Sequence, residues 1–255
     1  MKSLWLRLWT TLLLPVVLFV LWYVVSDGSK NFFFPSLSTI LQAFDETWLN
    51  ALGMHDILAS LWRLAVGFIM SLALALLFGV LLGSSKTARD YSEPVFEFFR
   101  AIPPSVMIPV LLVISGIGDT SKIAVISFGC LWPMLLNTIE GVRSIDPVLK
   151  DTCRVYQLHG LRRLFALTLP AASPQIITGM RTGLSIAIIL MVISEMFASR
   201  NGIGFTIIQF QRTFSIPEMW SGILLLGLIG VTLSLVMRII EMRVLNWYEG
   251  SRAHS

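Results

Sequence analysis

"HGLRRLFALTLPAA", residues 159–172, separates two strongly apolar stretches of a 255-residue chain. Leu161, Leu164, Phe165 and Leu169 fall at i, i+3, i+4 and i+8, one side of a helix, with Arg162 and Arg163 on the other. The segment is too polar to cross a bilayer and too apolar on one side to be an ordinary solvated loop. Which side of a membrane it faces, and what its apolar side meets there, decides how the rest of the chain is read.

Hydrophobic residues make up 55% of the chain and charged residues only 13%, against roughly 25% charged in an average soluble domain. Apolar runs recur at about 4–25, 58–83, 98–116, 122–141, 174–198 and 219–240, each long enough for a helix to cross a ~30 Å hydrocarbon core. The expected fold is an all-α membrane protein of six transmembrane helices, with a two-helix loop between the fourth and fifth spans. The N-terminal run could be a signal peptide with Lys2 and Arg7 as its charged region. It is long for one, and "VVSDG" (24–28) is a poor small-residue cleavage site, so a retained span is expected. The net charge of +4 is assigned to basic loops rather than to nucleic-acid binding. Cys130 and Cys153 give no disulfide framework, and packing is expected of both.

Basic residues set the orientation. With the N-terminus inside, eleven of the nineteen Lys and Arg fall in cytoplasmic ends and loops, and four outside (Lys30, Lys122, Arg200, Arg212). Both termini and the opening segment are therefore expected in the cytoplasm. In the same loop "IDPVLKD" (145–151) offers Asp146 as an N-cap and Pro147 at the first helical position. Val148, Leu149, Thr152 and Tyr156 then share a helical stripe. The chain turns near Gly160, the second helix follows, Pro170 ends it, and Ser173-Pro174 open the fifth span. Such a pair either lies on lipid headgroups or docks in the groove of a soluble partner. The residues alone leave both open.

The run Asp151–Pro170 resembles the cytoplasmic "EAA" loop of ABC importer permeases, whose pattern is Glu-Ala-Ala, three residues, Gly, then twelve residues to Pro. The matching positions are Asp151, Thr152, Cys153, Gln157 and Pro170; the triplet differs, and Gln157 stands where the family has its turn glycine, with Gly160 three residues on. "SLWRLAVGF" (60–68), "EPVFEFFRAIPPSVMIPVLLVISGIGDTSKI" (93–123), "WPMLLNTIEGVRSIDPVL" (132–149), "LPAASPQIITGMRTGLSIAIILMVISEM" (169–196) and "GIGFTI" (202–207) are similar to the nitrate, taurine and aliphatic-sulfonate branch.

That resemblance implies a type I importer of the bacterial cytoplasmic membrane. Residues 1–53 would form an N-terminal span and external loop, and 54–255 the permease core, with its coupling loop at about 146–170. It implies a second permease subunit, a homodimer being expected, and an extracytoplasmic binding protein that delivers a small anionic or organic solute. Two ATPase subunits would hold the ATP and magnesium and dock on the loop through Leu161, Leu164 and Phe165.

The chain's own chemistry points to no catalysis. No G-x-x-x-x-G-K-[ST] phosphate cradle occurs. "SGIGDTSK" (115–122) is a glycine turn expected outside. His55, His159 and His254 all lie outside the spans, and neither H-E-x-x-H nor G-x-S-x-G is present. No metal or cofactor is expected in this chain. The competing reading is a secondary transporter or channel, because intramembrane charges often mark ion pathways; co-purification of a P-loop ATPase separates the two. Arg63 and Glu195 share a depth near the outer ends of their spans, and either pair or snorkel to the surface. Arg100, Glu140 and Arg181 share a depth near the inner side and could pair likewise. Asn137, Ser127, Ser185 and Ser194 are pathway candidates or helix-bridging groups. Pro103-Pro104, Pro109 and Pro133 interrupt helices, to open carbonyls to a cavity or merely to kink.

Overall fold

In a computed structural model the chain is described at Leu13 and over residues 17–26 and 31–252, and it is helical with no strand among those residues. The helices are α1 (Val17–Ser26), α2 (Leu37–Trp48), α3 (Ala51–Ser84), α4 (Lys86–Ala101), α5 (Met107–Ser115) and α6 (Asp119–Arg143). They continue with α7 (Pro147–Val155), α8 (Gly160–Arg163), α9 (Leu169–Ala198), α10 (Ile203–Arg212) and α11 (Ile216–Arg252).

The bundle is built around α6, which packs against α3 on one side and α9 on the other. Burial between membrane helices gains little from the hydrophobic effect, so close backbone approach and interhelical hydrogen bonds take its place. In α3 the residues Gly67, Ser71, Ala75, Gly79 and Gly83 recur every fourth position and form that contact face. A Cβ on Gly67 would lie 2.7 Å from Ile126, one on Gly79 2.5 Å from Thr138, and one on Gly83 2.7 Å from Val142. Two hydroxyls stitch the same seam: Ser71 donates to the Ser127 carbonyl at 2.7 Å, and Ser127 to the Gly67 carbonyl at 3.1 Å. Across the α6–α9 seam, Gly179 and Gly183 bring α9 against Met134, and the Cys130 thiol donates to the Gly183 carbonyl at 3.3 Å. Cys130 and Cys153 are free and buried.

Gly79→Ala should therefore destabilise the bundle by about 1–3 kcal/mol through overpacking. Gly227→Ala, where a Cβ meets nothing within 4 Å, should be near neutral. Thermal unfolding in detergent reads both; equal midpoints for the two would show that the α3–α6 seam is not tight.

Four helical stretches are long and apolar enough to span a membrane: Ala51–Ser84, Asp119–Arg143, Gly160–Phe197 and Ile216–Asn246. The 38 residues of Gly160–Phe197 cover about 57 Å at 1.5 Å per residue, so that rod must project beyond a ~30 Å core. The expected third span is not one helix. The α4 and Pro104–Ser115 segments meet at 72° and make a fifth span only if the bent pair counts as one. Pro103 and Pro104 cause the break: neither has an N–H, and Ile102 before them is extended at ψ 117. Of the first expected span, Leu13 and α1 are described, and the remainder of 4–25 lies outside the described residues. Trp22 of α1 packs near Phe34 and Trp220 at the start of α11. Gly116 ends α5 at φ +77, so the 115–122 segment begins with a glycine turn.

Candidate functional site

The α7 end of the bundle holds the segment that opened the sequence reading. Asp146 caps α7, its Oδ1 accepting the Val148 N–H at 2.8 Å with Pro147 at the first turn. The helix ends in a paired turn in which the Leu158 N–H donates to the Cys153 carbonyl at 2.9 Å and the Gln157 N–H to the Arg154 carbonyl at 3.0 Å. This geometry needs a left-handed residue just past the helix. Gln157 supplies it at φ +52, and Gly160 is also left-handed at φ +54. The turn thus stays at the position of the family glycine, although the residue there is a glutamine. Gln157→Gly should relieve about 1 kcal/mol of left-handed strain, read as slower amide exchange at Leu158; unchanged exchange would mean the glutamine is unstrained.

Pro170 does not stop the second helix, and Ser173-Pro174 do not begin the next one. The chain runs from α8 through a π-helical turn, Leu164–Thr168, directly into α9. Pro170 lacks the N–H that the Ala166 carbonyl would receive, and its ring would crowd that carbonyl in a regular helix. The wider turn, closed by the Leu169 N–H on the Leu164 carbonyl, accommodates both effects. Pro174 leaves the Pro170 carbonyl without its helical donor, and the Ser173 hydroxyl supplies one at 2.7 Å.

The loop is anchored by Ile145, Cys153 and Leu167, which form a small core with Leu158 and Ala171. Its outward side chains are left uncovered: Leu161 is 71% exposed and Phe165 66%. Leu164 and Leu169 are half-buried. Leu161 and Leu164 border a cleft of about 610 Å³ shared with Lys150, Arg154 and Arg163. Phe165 instead lines a second, apolar groove of about 490 Å³ with Leu169, Pro170 and Ile240. Asp151 pairs with Arg154 at 2.8 Å, and the Thr152 hydroxyl donates to the Val148 carbonyl at 2.8 Å.

The opposite end contains a buried ionic knot. Arg63 is 2% exposed and Glu195 0%. Arg63 Nη1 donates to Glu195 Oε1 at 2.6 Å and to the Asn201 carbonyl at 3.1 Å; its Nε donates to Asp119 Oδ1 at 2.8 Å, and its Nη2 to Asn201 Oδ1. Glu195 also accepts the Ser60 hydroxyl at 2.8 Å and the Gly204 N–H at 3.0 Å. Ser60 in turn accepts the Ile203 N–H at 2.9 Å. Asp56 accepts the Gly202 N–H at 2.9 Å and the Thr206 hydroxyl at 2.6 Å. The knot fastens the 199–204 turn and α10 to α3, α6 and α9. Gly202 is required there: its φ is +113, and a Cβ would sit 2.5 Å from the Glu195 carboxyl carbon.

Sequence reading paired Arg63 with Glu195 as one option and missed Asp56, Ser60, Asp119, Asn201 and Gly202. The legible signal was local: Asp56, Ser60 and Arg63 fall at i, i+4 and i+7 on one helix face, and Asn201-Gly202 follow Glu195 just past the end of its helix. The inner charges do not pair with one another. Arg100 meets Glu97 at 3.5 Å, Glu140 meets Arg143 at 3.6 Å, and Arg181 meets Glu241 of α11. Arg100 and Glu140 line one cleft of about 270 Å³ together with Glu97 and Arg143, but each takes a partner one turn away on its own helix, and Arg181 takes one on α11. The Asn137 side chain donates to the Pro133 carbonyl at 2.8 Å, and Ser194 to the Met191 carbonyl at 3.0 Å, so both bond within their own helices.

Long apolar helices closely packed on small residues, with an anchored amphipathic element left apolar at one end, define a multi-pass membrane protein. The family model "Binding-protein-dependent transport system inner membrane component" matches residues 72–246. The chain belongs to that family and is a transmembrane permease subunit of an ABC importer. It is 30% identical to SsuC of Bacillus subtilis (strain 168), a permease assigned to aliphatic-sulfonate transport, over 94% of this chain and 88% of that one. It is 30% identical to the nitrate import permease NrtB of Synechocystis sp. (89% and 86% covered). Identity to the taurine permease TauC of Escherichia coli (strain K12) is 27% (91% and 87%). Its fold is similar to that in inward-facing structures of the MetNI methionine ABC transporter, with TM-score 0.64, 21% identity, and 76% of this chain and 96% of that one covered.

Proposed function

We propose that two copies of this chain form the membrane path of an importer for a small anionic or organic solute that carries an anionic oxygen group, with the α7–α8 surface docked on ATPase subunits in the cytoplasm. The observation that carries the reading is the uncovered Leu161 and Phe165 on an element held rigid by Ile145, Cys153 and Leu167. Apolar side chains fixed in place but unburied suit a partner's groove. Sulfonates, taurine and nitrate, named for the relatives, share an anionic oxygen group, which suggests the solute chemistry. An extracytoplasmic binding protein would deliver the solute, and ATP and magnesium would belong to the ATPase. The eleven-to-four basic bias supports cytoplasmic termini.

The affinity-purified chain should bring a P-loop ATPase with it from its native membrane. Purification without one, together with solute flux driven by an ion gradient, would favour a secondary transporter instead. In spheroplasts, Thr213→Cys should react with an impermeant maleimide, and Thr152→Cys only after permeabilisation. The reverse pattern would place the coupling surface on the wrong side.

A further inference from the structure

Most faces that the bundle turns outward are apolar, as hydrocarbon requires: Ile69 and Leu77 on α3, Leu228 and Val231 on α11. One face of α9 departs from this. Gln175, Thr178, Arg181, Thr182 and Ser185 are all exposed at helical spacing, a polar strip about 15 Å long at 1.5 Å per residue. It lies within a stretch apolar enough to span a membrane. An arginine and a glutamine facing acyl chains in such a stretch are costly, and residues of this kind turn toward water-filled cavities or protein.

We propose that this strip lines the inner part of the solute path, and that Arg181 recognises the anionic group of the passing solute. The proposal rests on the permease reading above and names the residue that would confer its charge preference. Arg181 is 59% exposed, and Glu241 engages its Nη2. A guanidinium has five N–H donors in a fork matched to planar oxyanions, so donors remain for a solute. Glu241 is its resting counter-ion, which the anion displaces or joins. The three hydroxyls of the strip donate to carbonyls one turn back: Thr178 to Pro174 at 2.9 Å, Thr182 to Thr178 at 3.1 Å, and Ser185 to Arg181 at 3.4 Å. A hydroxyl in that state is satisfied without solute and can rotate to donate to an oxyanion when one passes. The strip therefore binds weakly and repeatedly, as conduction demands.

The test uses the complex in lipid nanodiscs, with single Thr178→Cys or Ser185→Cys changes. Two thiol reagents of similar size serve as probes: the anionic 2-sulfonatoethyl methanethiosulfonate and its cationic trimethylammonium counterpart. The parent chain, whose Cys130 and Cys153 are buried, gives the blank. Both new thiols should react, the anionic reagent about tenfold faster once each rate is divided by that reagent's rate with free 2-mercaptoethanol, within the range by which a charged cleft raises encounter rates. Arg181→Gln should abolish that preference, and Glu241→Gln, which frees the arginine, should increase it. An unreactive Ser185→Cys would mean that lipid or the second copy covers the strip, and would overturn the proposal. So would a preference unchanged in Arg181→Gln, or one that does not rise in Glu241→Gln. Co-elution of the ATPase is scored on every sample. Its loss from the parent chain would sink the proposed ATPase docking, whereas its retention beside unreactive thiols would sink only this assignment.

Discussion

Glu195→Ala should destabilise the folded chain by about 3–5 kcal/mol, the cost of leaving one member of a buried ion pair without the other. The reason is specific to the knot. Arg63 stays 2% exposed with its Nη1 donor directed at the removed carboxylate, and the Ser60 hydroxyl and Gly204 N–H lose their acceptor. Arg63→Ala should cost a similar amount, because the carboxylate then remains buried with only neutral donors. The Arg63→Ala/Glu195→Ala double variant should lose clearly less than the sum, since neither buried charge of the pair is then left without the other. Gly202→Ala should fall in the same group, through its φ and its approach to Glu195. Unfolding in detergent, followed by tryptophan fluorescence, gives all four values. Strict additivity of the two alanine changes would show that the pair contributes no coupling and that each charge is independently solvated.

Phe165→Glu should leave the chain folded and weaken its association with the ATPase by two orders of magnitude or more. The side chain is 66% exposed in the chain alone, so the substitution should cost little in stability. In a docked complex it would forfeit ~1.5–3 kcal/mol of side-chain burial and add a poorly solvated carboxylate, at 1.4 kcal/mol per decade of affinity. Leu161→Glu should act alike from the neighbouring cleft. Arg163→Gln, on the other side of the same turn, should do much less. The assay is pull-down of the ATPase at matched protein levels. If Phe165→Glu keeps full binding and transport while loss of Arg162 and Arg163 abolishes both, the segment works on anionic headgroups and not in an ATPase groove.

The sequence alone determined the class of this protein and where along the chain its amphipathic segment falls. Both depend on properties summed over many residues: long apolar runs and helical periodicity around Leu161–Leu169. The Asp146-Pro147 helix start was equally legible, because capping is satisfied within three residues of the cap. Glycines 67, 79 and 83 could have been found the same way, since their four-residue spacing is a pattern along one helix.

Tertiary structure decided what depends on relations between distant segments. Pro170 reads as a helix stop on local rules, yet the π turn before it carries the helix through. Leu167 in that turn and Ala171 just beyond it pack on Ile145 and Cys153 of the preceding segment, a contact that local rules do not contain. Arg63 could have snorkelled; its enclosure needs Asp119, Glu195 and Asn201 from three other segments, a meeting that no periodicity encodes. Arg181 likewise drew Glu241 from sixty residues away instead of the nearer-looking Glu140. A charge takes whichever partner the packed backbone brings within reach, and in this chain the small-residue seams along α6 set that reach.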